Sequence, residues 1–103
     1  MKLDPNDPQS LNNLAWLLVG QHKAMQALPL AIRAVKRAPA DANVIDTYAV
    51  ALFDLGRCKS AIEHEERALE LLRDAKGSSS DAQAMREHLN AFKSRCAQPK
   101  DAQ

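Results

Sequence analysis

Apolar residues recur along the chain with the period of an α-helix. Leu11, Leu14, Ala15 and Leu18 stand at i, i+3, i+4 and i+7, and Ile45, Tyr48, Ala49 and Leu52 repeat that spacing 34 residues later. A further stripe, Ala82, Met85, Leu89, Phe92 and Cys96, runs beside polar Gln83, Arg86, Glu87, Asn90 and Lys93. The pattern predicts helices near 8–20, 23–37, 42–55, 58–74 and 80–96. Their ends have physical causes. Asp7 is placed to cap a helix whose first residue is Pro8, where a missing N–H costs nothing, and Asp41 stands equivalently before Ala42. Pro39 stops the second helix, Gly56 permits a sharp turn after the third, and Gly77 followed by three serines closes the fourth. Ser80 with Gln83 makes a capping box for the fifth. Pro29 removes a hydrogen bond inside the second helix and predicts a kink there, because the apolar pattern continues through Ala31, Ala34 and Val35.

The 34-residue offset extends beyond the two stripes. Sliding the chain by 34 superposes Pro5 on Pro39, Asp7 on Asp41, Ala15 on Ala49, Leu18 on Leu52, Ala27 on Ala61, Arg33 on Arg67 and Ala34 on Ala68, while Leu11 meets Ile45, Leu28 meets Ile62 and Val35 meets Leu69. Small and large residues thus recur at the core positions of two helices in both copies.

In this respect the chain resembles a tetratricopeptide repeat (TPR) protein over roughly residues 8–75, on Leu11, Leu14, Ala15, Leu18, Ala27, Ala34 and Pro39 in the first copy and Ile45, Tyr48, Ala49, Leu52, Gly56, Ala61 and Ala68 in the second. The resemblance implies an all-α fold, a right-handed superhelical stack of antiparallel helix pairs. On this reading, residues 8–41 and 42–75 form two repeats, 1–7 are the tail of a preceding repeat, 80–96 form a capping helix, and 97–103 are a disordered tail. Small residues at Ala15, Ala27, Ala49 and Ala61 let paired helices approach closely. The sequence departs from the family pattern where Leu11 or Ile45 replaces a large aromatic, His22 replaces the turn glycine of the first repeat, and Arg73 replaces the closing proline of the second. The start, KLDPND, suggests a C-terminal piece of a longer TPR protein, with any export signal or anchor upstream.

The resemblance also gives the polar stripes a meaning. Trp16, the only tryptophan, is out of phase with the core leucines and shares a face with Gln9, Asn12 and Val19; Asn43, Asp46, Val50 and Phe53 share the corresponding face one repeat later. In the family such positions line a concave groove for an extended or helical peptide, so these residues, with Asn13 and Asp54, are the expected partner groove; the alternative is that they pack against neighbouring repeats of a longer protein or against the second helix kinked at Pro29. Asn13 resembles a recurring ligand-binding asparagine, but Thr47 takes its place in the second repeat. Trp16, Asp46 and Val50 stand where the family's clamp for chaperone tails would need polar or basic groups, which argues against that ligand.

Charge and chemistry narrow the function further. Fourteen Lys and Arg against thirteen Asp and Glu leave a formal charge of +1, which supplies no electrostatic footprint for nucleic acid. There is no transmembrane-length apolar run. No phosphate-binding glycine loop or nucleophile elbow is present, so neither catalysis nor a cofactor is expected. His22, His64 and His88 fall on separate elements without a ligand cluster and read as surface histidines, so no metal is expected. The run EHEERALELLRD, with Glu63–Arg67 and Glu70–Arg73 pairs, reads as a solvated convex face. Cys58 and Cys96 flank the fourth and fifth helices at similar distances from the turn between them. An antiparallel hairpin brings them together either as a disulfide that staples the last helix, contributing about 2 to 4 kcal/mol, or as two buried thiols. A bridged pair would point to a periplasmic or other extracytoplasmic setting and a reduced pair to the cytoplasm.

The sequence therefore predicts a non-catalytic protein–protein interaction module, a scaffold or adaptor that binds a protein or peptide. The alternatives are an assembly role, with a homodimer formed through the exposed first helix, or the recruiting arm of an enzyme encoded upstream.

Overall fold

The five expected helices form: α1 (Pro8–Gly20), α2 (Ala24–Arg37), α3 (Ala42–Asp54), α4 (Cys58–Asp74) and α5 (Ser80–Cys96). The computed structural model describes residues 6–74 and 80–96. No strand occurs among them. The Asp7 carboxylate accepts from the Ser10 N–H at 2.9 Å, and that of Asp41 from the N–H groups of Asn43 and Val44 at 3.0 and 3.4 Å. Each thus satisfies donors that have no partner inside the helix. Helix α2 runs through Pro29, which is exposed.

The turns that close α1 and α3 are copies of each other. The Lys23 N–H reaches back to the Leu18 carbonyl and the Arg57 N–H to the Leu52 carbonyl, both at 2.9 Å, with inner bonds from His22 to Val19 and from Gly56 to Phe53. This is the Schellman arrangement, whose central residue needs a left-handed backbone. Gly56 adopts φ 84° without a side chain to strain it, while His22 holds φ 64° at about 1 to 2 kcal/mol. His22 takes the turn conformation of the glycine it replaces because the two flanking hydrogen bonds over-determine the backbone.

Helices α1 and α2 pack as one pair and α3 and α4 as a second, with α3 in contact with all four other helices. Ala15, Ala27, Ala49 and Ala61 are all fully buried at the crossings. With only a methyl group between backbones, the helices come close enough for Leu11, Ala34 and Val44 to form one core cluster and Ala49, Leu52, Ala61 and Phe92 another. Met85 of α5 is buried with Ala42, Ile45 and Ala68. The architecture is an all-α helical repeat. One core residue read from the sequence is misplaced: Leu14 is 48% exposed, because among the described helices α1 packs closely on α2 and α3 and Leu14 faces neither. The turn at Lys76 and Gly77, the Ser80 side chain of the capping box, and segments 1–5, 75–79 and 97–103 lie outside the described residues.

Candidate functional site

Three helices, α1, α3 and α5, contribute side chains to a continuous row of rings. Trp16 of α1 reaches across to His88 of α5, with ring centroids 6.0 Å apart. His88 lies nearly parallel to Phe92 one helical turn on, at 6.4 Å, and Phe92 stacks on Phe53 of α3 at 4.5 Å. The Arg95 guanidinium stands 6.0 Å above the Phe53 ring. Offset stacking and cation–π geometry hold such a row in one arrangement. Trp16, at 45% exposed, is its open end, whereas Phe92 is buried.

Beneath the row lies a cluster of ionisable groups. His88 Nδ1 is 2.8 Å from Asp46 Oδ1, so the ring donates there and the carboxylate accepts. The bond to Asp46 holds the His88 proton and raises its pKa above the ordinary value against the opposing effect of burial, with the Asp46 and Glu87 charges adding to the rise. Glu65 of α4 joins the same pair, with one oxygen or nitrogen of each of the three side chains within 4.8 Å of the others. It is fully buried, and neither carboxylate oxygen finds a donor. Its neighbour Asp46 can only accept, so Glu65 meets it by carrying a proton itself. Burial, then that hydrogen bond and the repulsion of the Asp46 charge, push the Glu65 carboxyl up to about 10.

This cluster corrects two sequence expectations. His88 is not a lone surface histidine but a partly buried partner of Asp46, and Glu65 does not belong to a solvated convex face. Asp46 is 42 residues from His88, and no local pattern connects them. A signal for Glu65 did exist: the 34-residue offset superposes it on Ala31, a buried alanine. His64 is accounted for structurally, with Nδ1 2.8 Å from the Ser60 carbonyl and its ring edge-on to Tyr48.

The residues of the expected groove divide into several environments. Trp16, Asn13 and Asn43 are exposed, and exposed Gln9 donates to Asp41 at 3.0 Å. Val50 and Phe53 are half-buried. Asn12 and Asp46 are sunk between helices at 9% exposure, and Val19 is part of the core with Ala15, Ala27 and Ala31 rather than a groove wall. Asn12 Oδ1 is buried without a partner. Asp54 sits at the edge beside His22; partial burial raises its carboxyl pKa, which the His22 charge partly opposes. Thr47 is buried, its hydroxyl donating to the Asn43 carbonyl at 3.2 Å, so it adds no second rung beside Asn13. Sequence reasoning missed that α5 supplies His88 and Phe92 to this face.

At the far end of α5 the two cysteines are joined in a disulfide, Cys58–Cys96, with Cα atoms 5.8 Å apart. Lys93 and Glu66 form an ion pair at 3.5 Å on the outer side of the same hairpin. Among the described residues no helix is long and apolar enough to cross a membrane.

Residues 1–28 match the tetratricopeptide repeat family model. No curated protein and no solved structure matches the chain. A family of repeats that engage protein partners is what this match implies, and the paired helices agree with it in their buried alanines and their duplicated caps and turns. The match over residues 1–28, taken with the paired helices, supports a tetratricopeptide repeat assignment.

Proposed function

We propose that the chain is a non-catalytic scaffold or adaptor module that binds a peptide or partner segment on the face carrying Trp16. The observation that supports this reading is the half-exposed Trp16 ring, held beside His88 at the open end of a fixed aromatic row. An aromatic that a partner fully desolvates is a typical anchor of binding energy. Exposed Asn13, nearly one turn before Trp16 on α1, and exposed Asn43 of α3 offer amide donors and acceptors to a peptide backbone. The segment it suits presents an apolar side chain to Trp16 and main-chain polar groups to the asparagines.

The test is a peptide selected from a random library against the intact chain. Trp16→Ala is expected to weaken its binding by about 2 kcal/mol, roughly 30-fold, with little change in melting temperature. Unchanged affinity, or a large loss of stability, would show that Trp16 serves packing instead.

A second reading, self-association, is favoured by Leu14 and Leu17, which are 48% and 58% exposed on α1. It predicts a sedimentation coefficient that rises with protein concentration; a constant monomer value at high concentration removes it.

A further inference from the structure

We infer that Asp46, Glu65 and His88 form a binding site for one divalent transition-metal ion of the zinc class. The inference is independent of the groove reading. Each residue comes from a different helix, α3, α4 and α5, and each offers one ligand atom, all three within 4.8 Å of one another. Donor atoms around a zinc ion with bonds near 2.0–2.2 Å lie closer together than that, so the set needs to contract by a shift that side-chain rotation supplies. One imidazole nitrogen with two carboxylate oxygens suits zinc and its neighbours, whereas magnesium and calcium favour all-oxygen sites. Three protein ligands leave a fourth tetrahedral position.

A second observation points to a ligand. Glu65 is fully buried, neither of its oxygens accepts a hydrogen bond, and the group it faces is a second carboxyl, Asp46, an arrangement a folded chain ordinarily avoids. The fold does not require it. The equivalent residue of the first repeat is Ala31, which is buried just as deeply, and Asp46 likewise replaces the neutral Asn12. The second repeat has thus gained two carboxyl groups at positions where the first manages with a methyl and an amide. Both face the only histidine that α5 brings to this junction. The His88 ring packs against Trp16 and Phe92, contacts that limit its rotation.

The charges balance. Two carboxylates and a neutral imidazole carry a charge of −2, which one divalent ion cancels, so the ion takes the place of the protons that otherwise lie between these groups. It would tie α5 to α3 and α4 midway along the hairpin, about two helical turns from the Cys58–Cys96 bond.

The test uses the untagged, oxidised chain, whose cysteines are bridged and do not compete for metal. Calorimetric titration with Zn²⁺ is expected to give one site, and Zn²⁺ to raise the melting temperature. Glu65→Gln and His88→Gln should each weaken binding by more than the roughly 10- to 100-fold that losing an outer-shell partner costs a zinc site. Glu65→Ala restores the residue of the first repeat and so keeps a folded control. With Co²⁺ as a probe, the wild-type chain should show the intense visible d–d bands of a four-coordinate ion, absent in the Glu65 variants. No binding by the wild-type chain, equal affinity in the variants, or a spectrum like that of aqueous cobalt would each overturn the site.

Discussion

Glu65→Gln is expected to raise the stability of the chain at neutral pH and to flatten its dependence on pH, measured in chelator so that no metal contributes. In the folded chain the Glu65 carboxyl is pushed up to about 10, against 4.5 when it is free in solution. Between those values the folded state holds a proton that the unfolded state has released, so stability falls as pH rises. The slope approaches about 1.4 kcal/mol per pH unit and accumulates to roughly 3 kcal/mol by pH 7. His88 adds to it with the same sign. Its folded pKa is raised above 6.5, so its contribution is complete below that value and is lost as pH climbs through the folded pKa. Glutamine occupies nearly the volume of a protonated glutamic acid and has no proton to lose. Urea unfolding from pH 5 to 9 should therefore show the wild-type chain losing stability steeply, and the variant retaining only the His88 component. Two parallel curves would mean that Glu65 is ionised and solvated in solution.

Reduction of the Cys58–Cys96 bond is expected to have an effect of similar size. The bridge closes a loop with a sequence separation of 38, for which the chain-entropy relation gives about 4 kcal/mol. For a domain of this size such a loss lowers the melting temperature by about 15 °C or more. Its structural target is α5, which packs mainly on α4 and touches α3 at fewer places. Released from Cys58, α5 would withdraw His88 from Asp46 and Phe92 from Phe53, leaving Asp46 and Glu65 without the histidine. Melting with and without dithiothreitol, and in a Cys58→Ser/Cys96→Ser double variant, measures the effect. Equal melting temperatures would show that packing alone holds α5.

The two expected results concern the same helix, and they show where sequence reading ends. The ends of α1 and α3 were legible because capping is local: Asp7 and Asp41 satisfy N–H groups two or three residues away whatever the rest of the chain does. The turn at Gly56 was legible for the same reason, and its 34-residue image at His22 takes the same left-handed conformation. Leu14 misled because an i, i+3, i+4 pattern marks a stripe wider than the contact that α2 and α3 make with it. Glu65 misled more seriously. Within EHEERALELLRD it looks like one of several solvated acids, and only the packing of α4 between α3 and α5 distinguishes it from exposed Glu63 and Glu66.

By itself, then, the amino-acid sequence determined the helices, the caps of α1 and α3 and the turns that follow them, and the small residues at the crossings, since each depends on backbone chemistry within a few residues or on a period the chain carries twice. It also singled out Trp16 as out of phase with the core. What only the tertiary structure decided is which charged and aromatic groups meet: His88 with Asp46, Phe92 with Phe53, and Glu65 beneath them. Those meetings depend on how α5 is rotated and seated against α3 and α4, and that seating follows from packing among distant segments, which no local pattern of residues encodes.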